Sequence, residues 1–545
     1  MMTVLWRSQR LRASLLLALL LHLVLAAAFH LSPDEAHYAL YASRLDWSYF
    51  DHPPLVGWVQ WPALALGGAD LVLRVVPWVC WCAAVWGLFR LCEALYPAPP
   101  AAAAPSAADV SPAAAPSPAG GVAVLALGLW LLSPLPHLLG LALVPDSLLM
   151  ALTCPIMLLT WRLGRPGADT PWSNWLALGL CLGLAGLAKY TAVLLGLGSL
   201  LALLRAHGLR LFGRIGPWLA AVSAGVMVSP VLIWNAQHGW ISFAYQLHHA
   251  SGSQQWLAWR VLLYGLVQAL CYGLLPAVGL WVAWRSSGPG AALGVPRPVV
   301  PRLTPLGLCL CFGLPPLLLY GVLSGRGSTL PHWSVSAWLA LLPAAAAGLA
   351  KLWFSNRPRN RRLVQGLAVW QVLGCTAMVG LLLMAGPGTE TGEQALSRPG
   401  EMLASAPRNP VADLYGWDKA AAQARQLAQA QRVTSLAVMN WSLASRLAWY
   451  ARPMPVRVVN RHFDQFDLWF GSLQPGDTVL LVDWSMMSFA PPVGLNQFSR
   501  CELLAQQPVM HWGRQIAHFN FLLCQQWRGP SAALMGQTLA GRPPA

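Results

Sequence analysis

Carboxylates and imidazoles crowd into one stretch near the start of this chain. Ser32 to Pro54 reads Ser-Pro-Asp-Glu-Ala-His-Tyr-Ala-Leu-Tyr-Ala-Ser-Arg-Leu-Asp-Trp-Ser-Tyr-Phe-Asp-His-Pro-Pro. The whole chain holds only 19 acidic residues. Asp34, Glu35, Asp46 and Asp51 all fall here, with His37 and His52 beside them. An apolar segment precedes the stretch, and carboxylates beside a membrane span need water, a cation or a chemical task. Asp34, Glu35 and Asp51 are therefore candidate catalytic groups, since a carboxylate is a common general base. Asp34 and Glu35 follow Ser32-Pro33, so the bland alternative is that they cap a helix. Asp51 and His52 stand just before Pro53-Pro54, which fix a rigid stop. Asp and His are also metal ligands, so Asp51 is a candidate for a divalent ion.

Further polar groups stand at the ends of apolar runs. Asp146 follows Pro145, where it could cap the next helix or face a substrate. Lys189 is the only lysine before Lys351. Its ammonium could snorkel to the interface, or it could meet a phosphate. Tyr190 follows it. Trp234-Asn235-Ala236-Gln237-His238-Gly239-Trp240 leads to His248-His249, and several histidines in one loop suggest a phosphate contact or a metal ligand. His332-Trp333 opens a later apolar run, where an aromatic anchor is the plain explanation.

The elements that must position these groups are membrane helices. The chain has 545 residues, 56% hydrophobic and 10% charged, with mean hydropathy +0.51. Soluble proteins carry about 25% charged residues. The net charge of +16 does not point to nucleic acid. The basic residues lie in short clusters between apolar runs, as topology signals do. Eleven spans are expected, near 13–30, 71–95, 120–142, 147–163, 174–188, 191–204, 216–234, 258–283, 305–323, 334–350 and 364–385. Arg7, Arg10, Arg12 and the cluster Arg357, Arg359, Arg361 and Arg362 then fall inside, so the N-terminus is cytoplasmic. That parity sets Ser32–Pro54, Asp146, Lys189, the Trp234–Trp240 string and His332 on the outer face. The first span reads as an uncleaved helix rather than a signal peptide.

Residues 97–119, rich in Ala and Pro, read as a cytoplasmic linker, and 288–302 look similar. Residues 1–385 form the expected membrane domain, with an outer loop at 31–70. Residues 386–545 lack span-length apolar runs and read as a small α/β periplasmic domain. Its expected elements are helices at 418–432 and 442–450, with strands at 433–439, 456–460 and 478–483. The outer domain holds two of the 11 cysteines, Cys501 and Cys524, and an oxidising compartment would permit a disulfide. There is no P-loop, dinucleotide fingerprint or zincin motif, so no nucleotide cofactor is expected.

The first-loop string, Pro145-Asp146, Lys189-Tyr190, the Trp234–Trp240 string and His332-Trp333 resemble, in order, the motifs of a known superfamily. It is that of bacterial membrane glycosyltransferases of the protein O-mannosyltransferase and aminoarabinose-transferase type. The resemblance covers about residues 30–345 and extends to Asn440–Tyr450 and Arg461–Phe470 of the outer domain. It implies the multi-span GT-C fold in the bacterial inner membrane. It also implies transfer of a sugar, with inversion, from a polyprenyl-phosphate donor to an envelope glycan, lipid (lipid A among them) or protein acceptor. By motif position Asp34 matches the catalytic base. Asp51 matches an acidic position that helps hold a metal in the aminoarabinose transferases, with His249, or its neighbour His248, as the partner histidine. Donor and substrate contacts fall to His37, His52, Asp146, Lys189, Tyr190, Asn235, His238 and His332. His52 stands where the aminoarabinose branch has a lysine, and His37 where it has an arginine. The alternative is a transporter or flippase of a lipid-linked sugar, whose signature would be charges within the spans and broken helices in repeated halves.

Overall fold

The computed structural model describes residues 9–97, 118–165, 171–251, 255–287, 303–327, 329–355, 357–384, 412–459, 463–511 and 513–530. The linkers 97–119 and 288–302 therefore lie almost wholly outside the described residues. The chain divides into two compact units. The first comprises 1–27, 45–48 and 52–376, and the second comprises 28–44, 49–51 and 377–545. The second unit thus draws in residues 28–44 and 49–51, which lie far upstream of the composition change near 385.

In the first unit, helix lies at each place where a span was expected. Seven described helices are long and apolar enough to cross a membrane, or nine if each of two bent pairs is one span. That count, seven to nine, is lower than the expected eleven. Trp172–Ala188 is apolar but short. The expected spans 120–142 and 258–283 are broken, with bends of 71° between Gly121–Leu131 and Pro134–Leu141 and 101° between Ala258–Tyr272 and Leu275–Arg285. Prolines explain the first break: Pro134 cannot continue the preceding ladder of N–H donors. At the second, Gly273 has φ +83°, a conformation open to glycine. A side chain there would also strike Gln371, whose amide donates to the carbonyls of Leu132 and Tyr272.

Pro331–Trp353 is the most buried of the long helices. Ala344, Ala345 and Ala346 are sealed, and a Cβ on Gly348 would lie 1.9 Å from the Gly279 carbonyl oxygen. Small residues let this backbone touch that of Leu275–Arg285, which is how membrane helices gain packing without a hydrophobic driving force.

In the second unit a five-stranded sheet has the order β2-β1-β3-β5-β4. Strands β1 (Leu436–Val438), β2 (Val456–Val458) and β3 (Val479–Trp484) pair in parallel, and all six β3 side chains are buried. Helix Trp441–Tyr450 connects β1 to β2 and, with helix Trp417–Ala430, matches the expected helices closely. The sequence reading lacked a long hairpin, β4 (Phe498–His511) with β5 (Arg514–Trp527). β4 is largely polar and Pro508 interrupts it, so its strand signal is weak, whereas the largely apolar run Phe519–Cys524 of β5 is a strand signal that the sequence reading lacked. Cys501 and Cys524 sit opposite each other in this hairpin and are disulfide-bonded.

Candidate active site

In the second unit, helix Pro33–Ser43 carries the first-loop acids. Ser32 caps it and Pro33 is pre-set for its first turn. The Ser32 N–H donates to Glu35 Oε2 at 3.0 Å, and the Glu35 N–H to Ser32 Oγ at 3.4 Å, a reciprocal capping box. Glu35 is buried in this role. Asp34 is half-buried beside it.

One and two turns on, His37 and Tyr41 share a face of the helix. Tyr41 donates to Asp51 Oδ1 in a short hydrogen bond. Burial pushes the Tyr41 hydroxyl well above its ordinary range, and the Asp51 charge adds to this, so the phenol stays a donor. His37 Nε2 lies 3.3 Å from Asp51 Oδ2, and its Nδ1 lies 3.2 Å from Ser445 Oγ. Trp441, Phe466 and Trp469 close round the imidazole. The structure therefore joins His37 to Asp51, a pairing that sequence separation hid. Tyr41 was missed by the sequence reading, although its spacing of four from His37 was a signal. Arg446, also missed, is sealed against Trp417 with its guanidinium 4.0 Å from the ring centre, and bonds Asp413. Burial lowers its pKa, and Asp413 opposes that.

In the first unit, three helix ends converge. Asp146 lies in the first turn of Pro145–Leu163, where the helix dipole favours an anion. Lys189 caps the C-terminal end of Trp172–Ala188. His332 sits in the 3-10 turn Pro331–Ser334. Lys189 Nζ donates to both Asp146 oxygens, at 2.8 and 2.7 Å, and His332 Nε2 is 3.7 Å from Oδ2. Asp146 is 2% exposed and Lys189 7%. Gln268 steadies the turn by accepting from Ser334 Oγ at 2.6 Å and Trp338 Nε1 at 2.7 Å. Tyr190 lays its ring 5.2 Å from that of Phe243.

The Trp234–Trp240 string ends a helix. Asn235 Nδ2 donates to the Val231 carbonyl, and its Oδ1 accepts from the Ser242 N–H. His238 stacks on Trp234 at 3.9 Å and bonds its carbonyl. Gly239 and Trp240 take positive φ just past the helix end, where a left-handed residue is common. Asn235 and His238 thus make local structural bonds. His52 is half-exposed, in the first unit. The His249 and His248 side chains lie outside the described residues. Among the described residues no three His, Cys, Asp or Glu side chains gather as metal ligands. Asp51 is already engaged by Tyr41 and His37.

Residues 119–234 match the family described as dolichyl-phosphate-mannose-protein mannosyltransferase. That segment holds Asp146, Lys189 and Tyr190 and omits the first loop. Two solved structures of ArnT from Cupriavidus metallidurans are similar over 93% of this chain and 97% of theirs. The apo form has TM-score 0.56 at 15% identity, and the form bound to undecaprenyl phosphate has 0.56 at 16%. No curated protein matches the chain. The fold is thus that of a multi-span membrane protein similar to ArnT, and the match over residues 119–234 is in keeping with the sequence resemblance.

Proposed function

We propose that this GT-C membrane protein is an inverting glycosyltransferase. It moves a sugar from a polyprenyl-phosphate donor to an envelope lipid, glycan or protein on the periplasmic face of the inner membrane. The observation that carries the reading is the division of labour on the first-loop helix. Glu35 is committed to the cap, while Asp34 keeps solvent-accessible surface in the same turn. Asp34 takes the proton of the acceptor group as its oxygen attacks the anomeric carbon. The bond from that carbon to the phosphate oxygen breaks, and polyprenyl phosphate leaves. A single displacement inverts the centre and needs one base.

Lys189 has three N–H donors, of which Asp146 takes two. The third is our proposed contact to the phosphate of a lipid-linked sugar, which an ammonium can meet as a point charge. The displacement itself is assigned to Asp34. Bond energy in the lipid donor replaces a nucleotide.

A transporter of lipid-linked sugar is the second reading. The buried Asp146–Lys189 pair and the two bent helix pairs favour it, since transporters use both features. Lipid and glycan mass spectrometry on cells with the wild type, Asp34→Asn or no protein separates the two. Transfer predicts an envelope glycan lost in both the variant and the null, with polyprenyl-phosphate-sugar accumulating. Wild-type glycan in the Asp34→Asn cells, lost only in the null, would end the transferase assignment.

A further inference from the structure

The backbone one residue before Asp51 and three residues before Asp34 is held by side chains from more than four hundred residues downstream. The Leu31 N–H, one residue ahead of the Ser32 cap, donates to the Tyr450 hydroxyl at 2.9 Å. The Phe50 N–H, one residue ahead of Asp51, donates to Gln465 Oε1 at 2.7 Å. Between them Ser445 Oγ meets His37 Nδ1. Leu31 and Phe50 are both buried, at 1% and 6% exposure, so neither N–H can turn to bulk water if its acceptor is removed. Tyr450 and Ser445 lie on one helix, Trp441–Tyr450, which packs along Pro33–Ser43. Gln465 opens the short helix Gln465–Phe470, itself fixed by an Asp464 cap.

We infer that Tyr450, Ser445 and Gln465 are positioning residues for the transfer reaction. The C-terminal domain then serves as the frame that sets Asp34 and Asp51, rather than as an accessory module. This rests on the glycosyltransferase reading above. Ser32, Asp34 and the helix start move as one rigid turn, so a shift at Leu31 moves the base with it. Asp51 follows Phe50 directly and is braced by His37 and Tyr41 from the same helix. Misplacing a reacting group by about 1 Å can cost on the order of 100-fold in rate.

The test uses the full chain, produced in cells lacking the protein and purified in mild detergent. Tyr450→Phe and Gln465→Leu each remove one acceptor and keep the side chain's bulk. Envelope glycan formation is followed over time by mass spectrometry. Binding of undecaprenyl phosphate, the probe for the donor's lipid end, is measured on the purified protein. Expected for each variant is a fall in glycan formation of about tenfold or more, with the undecaprenyl phosphate Kd within about twofold of wild type. Arg500→Ala, at an exposed ion pair on β4, should leave both unchanged. Wild-type glycan formation in both variants overturns the inference while leaving the transferase reading intact, provided Asp34→Asn is inactive. Parallel loss of lipid binding and turnover also overturns it, because that is general misfolding. Full activity of Asp34→Asn overturns both readings.

Discussion

Removing one partner of the Asp146–Lys189 pair should cost more than removing both. The carboxylate and ammonium meet through two hydrogen bonds of 2.7 and 2.8 Å, and their side chains are 3% and 9% exposed. Lys189→Met leaves a buried carboxylate whose nearest cation source is His332, at 3.7 Å. Asp146→Leu leaves a buried ammonium without its two carboxylate acceptors, with the Trp333 ring 5.4 Å away. Breaking a buried pair from one side costs about 3–5 kcal/mol. His332 can recover part of that for the lysine variant, so we expect about 3 kcal/mol there, and the upper part of the range for Asp146→Leu. The double variant exchanges the pair for apolar groups of similar size, which is roughly neutral. The assay is a double-mutant cycle on unfolding of the full chain in mild detergent, followed by tryptophan fluorescence. An equilibrium shift of about 3 kcal/mol is roughly 100-fold. Single variants costing under about 1 kcal/mol, or a double variant equal to the sum of the singles, would refute the argument that both charges are desolvated. A folded but inactive double variant would show that the pair is needed for turnover beyond its part in stability.

Other expectations concern single groups. Glu35→Gln keeps a side chain that can complete the capping box. It should retain turnover within a few-fold in the glycan assay, while Asp34→Asn should not. Burial holds the His518 imidazole below its ordinary range, and Asp483 opposes this only in part. The neutral form is favoured in the fold, so the stability linked to it is full above the unfolded value of about 6.5 and is lost as pH falls through that value. Melting of the wild type should therefore fall more between pH 7.5 and 5.5 than melting of His518→Gln; identical slopes would exclude a contribution from His518. Reducing Cys501–Cys524 reopens a loop with a sequence separation of 23, worth about 3 kcal/mol in the chain-entropy view. The paired hairpin should lower that figure. Proteolysis of the C-terminal domain should quicken on reduction, and an unchanged rate would count against the bond as a stabilising link.

The sequence by itself determined the membrane character, the place of the helices and the α/β nature of the C-terminal part. Each follows from local patterning: apolar runs of span length, short buried strands and a composition change near residue 385. It also determined that Asp34 and Glu35 start a helix, because Ser32-Pro33 is a local signal. Local signals could not reveal the helix breaks at Pro134 and Gly273 as bends of given size, since neighbouring packing sets the angle. Nor could they pair Lys189 with Asp146. Each residue ends its own helix, and only the convergence of three helix ends buries the two charges together. The local partners of Asn235 and His238 were hidden for the same reason: the string alone does not show that the Val231 and Trp234 carbonyls and the Ser242 N–H meet these side chains at a helix end. Most non-local of all is the first loop. The start of its helix is written locally, but Leu31, His37 and Phe50 find their partners at Tyr450, Ser445 and Gln465, and no pattern within residues 31–54 can name a partner four hundred residues away.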